Sequence, residues 1–308
     1  MEERREGDAR PIDNRRGILL IIGACFLLAV NDVTTKIAAL SLAPGEVLFL
    51  RNLVALLCLC GFVLVQWNPL PLKAALASPP VLFRALFEAL SHGLFVILLV
   101  RMPVAELGAL SLLSPLLLVV ILFLFFREPI GWRRWLAVGA GFAGALLIVR
   151  PAFGAFNPWA PVAVFVALCA ALRDLMTRYI PGDIPSMAVA IIATVAIGAG
   201  GLVMAGAEAW SLPSPESAAV VAVAGIALSG GTYLGIAAFR NVEIAAIAPF
   251  RYTTLLWSAI GAFLLLGEVP GLLSIAGAGL IVGSGIYSIH REVDAARRRA
   301  GRAAPVTP

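Results

Sequence analysis

About ten stretches of some 20 apolar residues follow one another along this chain with short connections between them, and a helix of that length spans the hydrocarbon core of a bilayer. The expected spans are 17–40, 46–66, 80–100, 104–126, 133–149, 158–179, 186–207, 217–239, 244–266 and 271–289. Each must be helical, because an unpaired backbone amide in hydrocarbon costs several kcal/mol and a helix satisfies its own ladder. The fold class expected is therefore an all-α integral membrane protein without sheet. Hydrophobic residues make up 61% of the 308 and charged ones 13%, so water is not the main solvent and no sizeable extramembrane domain fits.

The apolar pattern is written almost twice. Arg127-Glu128-Pro129 returns about 140 positions later as Gly267-Glu268-Val269-Pro270, and Gly139 falls opposite Gly279. Five crossings per half are an odd number, so the second half enters the bilayer upside down, an arrangement that makes a site accessible from either side. The expected organisation is a basic tail (1–16), a five-helix repeat (17–149), a linker (150–157), an inverted five-helix repeat (158–289) and a second basic tail (290–308).

Charge placement orients this layout. The net charge of +5 would suggest a nucleic-acid partner in a soluble protein, but here Arg4, Arg5, Arg10, Arg15 and Arg16 precede the first span and Arg291, Arg297, Arg298, Arg299 and Arg302 follow the last. By the positive-inside tendency both termini are expected in the cytoplasm of a bacterial cell, with the chain in its inner membrane. The loops agree: Lys73, Arg127, Arg133, Arg134, Arg178 and Arg240 fall on the cytoplasmic side, whereas the opposite connections hold only Arg101 and Arg150. The tails are charged and rich in Pro and Ala, and their far ends are expected to be disordered. The first apolar run is too long for a signal-peptide core. Cys25, Cys58, Cys60 and Cys169 all lie within spans, signalling neither a disulfide framework nor a metal site.

Small residues cluster as Gly139, Gly141 and Gly144 in the fifth span and as Gly277, Gly279, Gly283 and Gly285 in the tenth, where glycine permits close helix contact. Residues 139–144 match G-x-G-x-x-G formally, but that fingerprint requires a strand and a turn before the helix, not an unbroken span.

Ten spans in two halves, a Glu-Pro-type step after the fourth and ninth, and glycine-rich fifth and tenth spans resemble the EamA family of the drug/metabolite transporter superfamily. The stretch from Pro249-Phe250-Arg251-Tyr252-Thr253 to Gly283-Ser284-Gly285-Ile286-Tyr287 looks most like a bacterial branch with riboflavin and S-adenosylmethionine carriers. The resemblance covers about residues 17–292. It implies ten helices around a central cavity, peripheral fifth and tenth helices, and a structural role for Glu128 and Glu268.

A charge at the centre of a span costs at least about 2.5–3.5 kcal/mol, so each one needs a partner or a wet cavity. Arg84, Glu88 and His92 share one stripe of the third span at i, i+4, i+8, and Glu88 with His92 brackets its middle. A carboxylate one turn from an imidazole can exchange protons near neutral pH, suiting substrate or a coupling proton. The competing reading is a structural Arg84–Glu88 pair with His92 bonded to a neighbouring helix. Asp32 with Lys36 and Asp174 with Arg178 repeat an acid-then-base i,i+4 pattern in the first and sixth spans, fitting either two gates or two interfacial pairs. Tyr233 and Thr232 in the eighth span, and Arg251, Tyr252 and Trp257 in the ninth, could clamp and stack a planar ligand, or could anchor helix ends at the interface. Pro115 and Pro249 are expected to kink their helices, at positions not equivalent under the repeat. Arg51 and Glu106 lie near span ends and carry no assignment.

The function expected is secondary transport by alternating access of a small polar or aromatic metabolite, proton- or exchange-coupled, with riboflavin or S-adenosylmethionine leading. An amino-acid or drug exporter of the same fold is the alternative. An enzyme fits poorly, since His92 and His290 are the only histidines and no H-E-x-x-H, G-x-S-x-G or phosphate loop occurs. A channel would want rings of filter residues, which are not visible. No cofactor and no metal are expected, and the partners are the metabolite and membrane lipid, with the chain a monomer or weak homodimer.

Overall fold

The structure is a computed structural model and describes residues 14–66, 70–127, 132–149, 157–206, 210–238 and 248–303. Among these residues every regular element is helical: α1 (Asn14–Ala38), α2 (Pro44–Gln66), a short α3 (Leu72–Leu76), α4 (Pro79–Leu99), α5 (Val104–Ser111), α6 (Ser114–Phe126), α7 (Trp132–Val149), α8 (Ala160–Thr177), α9 (Ser186–Ala205), α10 (Pro215–Ala238), a 3-10 turn (Ala248–Tyr252), α11 (Thr253–Leu266) and α12 (Leu272–Ala303). Seven spans are long and apolar enough to cross a membrane: 15–38, 44–65, 79–99, 104–126, 160–177, 186–205 and 215–235. Three apolar helices are shorter, Trp135–Ile148, Phe250–Leu266 and Leu272–Tyr287. Leu64, Val65, Phe125, Val203 and Leu264 stand exposed on the outside, a surface that suits lipid and not water.

The helices pair across the chain's midpoint. α1 packs on α10 and α11, α4 on α8 and α9, α2 on α9 and α10, α5 and α6 on α8, and α7 on α12. The largest buried cluster among the described residues is centred on α5 and the start of α6, where Leu107, Leu110, Leu113 and Leu116 meet Val33, Leu98, Ala163, Ala262 and Ile281.

Two spans are interrupted. Between α5 and α6 the chain turns at Leu112 and Leu113, just before Ser114-Pro115, because Pro115 has no N–H to continue the ladder and the backbone tightens. In the ninth span the 3-10 turn gives way to α11 at Tyr252 and Thr253, and Thr253 Oγ1 donates to the Phe250 carbonyl across the junction at 2.7 Å. Only Arg127 among non-glycine residues and only Gly267 among glycines have positive φ, at 51° and 66°, in the described residues. Each ends the helix of its interrupted span, and a left-handed residue there is the usual helix stop.

The glycine faces sort by contact. A Cβ on Gly144 would lie 2.5 Å from the Gly277 carbonyl oxygen, and one on Gly277 equally close to that of Gly144, so α7 and α12 touch backbone to backbone. Gly141 is held close by Leu116 and Ser284, whereas Gly139, Gly279 and Gly283 face open space and do not belong to the contact.

At the C-terminus α12 runs on past the apolar span through Ala303, because its Ala- and Arg-rich continuation has high helix propensity; the far end, 304–308, lies outside the described residues. The linker 150–157 and the 1–13 tail lie outside the described residues, but for Asn157, as do Glu128, Arg150 and Arg240.

The Gly144–Gly277 contact gives a direct test. Gly144→Val or Gly277→Val should lower the apparent melting temperature of the detergent-purified protein, with overpacking costing about 1–3 kcal/mol, while Gly139→Ala and Gly279→Ala leave it unchanged. Fluorescence-detected thermal unfolding reads the difference.

Candidate functional site

The stripe on α4 meets α8. Arg84 Nη1 donates to Glu88 Oε2 at 2.5 Å, and Arg84 Nε donates to Thr177 Oγ1 at 3.1 Å. Arg173 of α8 lies 3.6 Å from Glu88 Oε1 and donates through Nε and Nη2 to Asp174 Oδ1 at 3.0 and 2.8 Å. Two guanidiniums thus flank one mid-span carboxylate. His92 Nδ1 sits 2.9 Å from the Glu88 carbonyl oxygen. A carbonyl only accepts, so that bond places a proton on Nδ1, and in the neutral ring Nε2 then carries the lone pair. Arg173 was not among the residues singled out in sequence, although its place beside Asp174 was visible.

A second polar layer joins α1 and α2. Asn31 Nδ2 donates to Asp32 Oδ1 at 2.9 Å, Thr35 Oγ1 reaches Asn31 Oδ1 at 3.5 Å, and Arg51 Nη1 donates to Thr35 Oγ1 at 3.1 Å. Arg51 is 1% exposed, and its Nε and Nη2 have no hydrogen-bond partner. It acts electrostatically on both Asp32 and His92. Counting from the neighbouring helix ends at about 1.5 Å per residue, Asp32, Arg51 and His92 all lie about 9–11 Å deep, measured from one end of the bundle. Glu46, in the first turn of α2, is fully buried with neither carboxylate oxygen bonded. Sequence reasoning passed over Arg51 and Glu46 because both lie near the start of a span, where a long side chain normally reaches the interface. Asn52, adjacent on α2, carries a further buried unpartnered oxygen.

The expected i,i+4 pairing of Asp32 with Lys36 is not what forms. Lys36 Nζ makes its ion pair with Glu268 Oε1 and donates to the Met102 carbonyl at 2.8 Å. Glu268 Oε2 in turn accepts from the Val104 N–H at 2.9 Å, at the positive end of α5. The physical reason is geometric: the left-handed Gly267 turns Glu268 back over the bundle, where it serves a cation and an orphan helix donor together. Glu106, on the same first turn of α5, accepts from Ser274 Oγ of α12. At the opposite end of the bundle Asp174 is held by Arg173, and Arg178 stands exposed just past α8.

The aromatic set does not gather around Glu88. Tyr233 is partly exposed and packs on Phe62 with ring centroids 4.4 Å apart. Thr232 precedes it on α10 and is half-buried. Trp257 meets Phe26 edge to face at 5.4 Å, with its indole N–H buried and unpartnered. Tyr252 is buried against α12, its hydroxyl over Gly285, where any Cβ would collide with it. Arg251 is exposed.

Residues 15–150 match the EamA-like transporter family. The S-adenosylmethionine uptake transporter of Rickettsia bellii is 27% identical over 276 residues, covering 88% of this chain and 92% of that protein. The pseudopaline exporter CntI of Pseudomonas aeruginosa is 26% identical over 277 residues, covering 87% and 94%. The riboflavin transporter of Rhizobium johnstonii is 26% identical over 221 residues, covering 71% and 72%. One solved crystal structure shares the fold, with a TM-score of 0.61 at 18% identity over 92% of this chain and 98% of that one.

The Lys36–Glu268 contact should behave as a coupled pair. Glu268→Gln alone leaves a buried ammonium without its counter-charge and should cost about 3–5 kcal/mol. Adding Lys36→Met should recover most of that loss, a double-mutant cycle read by thermal unfolding.

Proposed function

We propose that this chain, whose residues 15–150 match the EamA-like transporter family, is a secondary transporter of a small metabolite, working by alternating access across a bacterial inner membrane with both termini in the cytoplasm. Ten helices form two inverted five-helix repeats, 17–149 and 158–289, between basic tails and across a short linker. The metabolite is polar or aromatic, with S-adenosylmethionine or riboflavin leading because relatives are named for them. An exporter is the second reading, favoured by the relative named for pseudopaline export. Energy comes from a gradient of the substrate, a proton or a counter-solute.

The observation that carries this reading is the set of ionisable side chains deep within apolar helices, Asp32, Arg51, Glu88, His92 and Arg173, drawn from α1, α2, α4 and α8. Such groups are expensive in lipid and mark transport pathways. The packing supports the inverted repeat. Exchanging the halves maps the α1–α10 contact onto α8–α4, α1–α11 onto α8 with α5 and α6, and α2–α10 onto α9–α4, while α2–α9 and α7–α12 map onto themselves. In this scheme Glu88 and His92 bind substrate or a coupling proton, with Tyr233, Arg251, Tyr252 and Trp257 as further candidates for the substrate's path. Arg84, Lys36, Asp174 and Arg178 belong to polar contacts that open and close its two ends.

Purified protein in proteoliposomes preloaded with unlabelled S-adenosylmethionine or riboflavin should accumulate the labelled compound by exchange, which a channel does not do. Glu88→Gln and His92→Ala should each shift the affinity or pH dependence of that flux; unchanged flux in both would remove them from the site.

A further inference from the structure

The Arg51 guanidinium has one edge in use and one idle. Nη1 is tied to Thr35, while Nε and Nη2, which together form the side-on fork, are buried and unpartnered. That fork matches a carboxylate bidentately. Leaving two charged donors buried and unbonded carries the full desolvation penalty of those groups, so an arginine kept there solely to lock helices would fill both edges. Asp32 is the counter-charge close enough to act on it, yet the Asp32 hydrogen bond comes from Asn31. At the same depth His92 offers an unprotonated Nε2, with Nδ1 committed to Glu88. One layer therefore holds an anion-seeking fork beside an acid and an imidazole lone pair, each a cation acceptor, on α1, α2 and α4.

We infer that this layer receives the zwitterionic head of an α-amino-acid-type metabolite, the Arg51 fork taking its carboxylate while Asp32 and His92 Nε2 take its ammonium. The assignment rests on the transport reading above and narrows it: metabolites with such a head qualify, and a neutral aromatic without a carboxylate does not. Arg51 is closed off in this conformation, so the head enters when the helices part, from the end held by Lys36 and Glu268, the nearer one at about 10 Å.

The test compares matched ligands on the detergent-purified full chain: S-adenosylmethionine against its decarboxylated form, methionine against its decarboxylated amine, and riboflavin alone. At least one carboxylate-bearing member should bind, with its decarboxylated partner weaker by about tenfold or more, because a site built around a polar contact rejects the analogue lacking it. Arg51→Lys, which keeps the charge and loses the fork, should close most of that gap, and Arg51→Gln should close it fully. Equal affinity within each pair, binding confined to riboflavin, or no binding by any carboxylate-bearing member would overturn the assignment, as would a gap that survives Arg51→Gln. The wild-type comparison decides the matter even if both variants misfold. Counterflow in proteoliposomes is scored separately: riboflavin exchange without binding of any amino-acid head refutes the head-group site and leaves transport standing, whereas discrimination within the pairs without exchange does the reverse.

Discussion

Lipid offers no compensation for a charge, so every ionisable group inside this bundle has to find its counterpart on another helix or wait for one. That constraint organises the molecule into polar layers separated by apolar packing. At one end Lys36, Glu268, Met102 and the start of α5 close on each other. Toward the other, Arg84, Glu88, Arg173 and Asp174 join α4 to α8. Between them lies the layer of Asp32, Arg51 and His92, in which compensation is incomplete. The two outer layers join α1 to the loop between α11 and α12, and α4 to α8, and so tie the two halves of the chain together. In the proposed alternation of the halves, each such contact has to exchange or break.

The seven long apolar helices were legible in sequence to within a few residues, because twenty apolar residues in a row leave the backbone no choice but helix. Glu88 and His92 were legible for the same reason: charge in the middle of such a run is conspicuous. Partners were not. An i,i+4 spacing allowed Asp32 to meet Lys36, but spacing along one helix says nothing about a carboxylate arriving from a residue 232 positions away. Arg51 and Glu46 were illegible because their depth depends on where α2 starts relative to its neighbours, and Pro44 sets that start slightly earlier than the apolar pattern implies. The packing neighbours of the aromatic residues were equally out of reach of a single-helix reading: Tyr252 fills the space left by Gly285, and Trp257 packs on Phe26.

The two interrupted helices have the same geometry without the same residues. Pro115 and Pro249 do not correspond under an offset of 140, yet the breaks they accompany, at Leu112–Leu113 and Tyr252–Thr253, do. The same holds for the left-handed stops at Arg127 and Gly267. A proline acts on the turn before it, by removing a donor and crowding the preceding residue. Pro115 lies just after its break, whereas the ninth span runs as a 3-10 segment through Pro249 to its junction. Different chemistry brings both chains to one shape, which a comparison of prolines alone misses.

The two halves nonetheless divide their labour. Shifted by about 140 positions, Arg51 falls on Ile191 and Glu88 on Leu228, so α9 and α10 carry no charge where α2 and α4 carry theirs. What they supply is room. A Cβ on Gly225 would strike the Arg51 carbonyl oxygen at 2.7 Å, one on Gly201 the Phe49 nitrogen at 2.6 Å, and one on Gly231 Leu28 at 2.9 Å. These glycines let α9 and α10 lie directly on α1 and α2, sealing the charged layer from lipid with backbone and not with bulky side chains. Small residues are the main means of close helix contact where no hydrophobic force acts between helices. Under the proposed repeat the two halves are thus alike in how they pack but not in what they present: α2 and α4 bring charge, and α9 and α10 bring backbone laid close against α1 and α2.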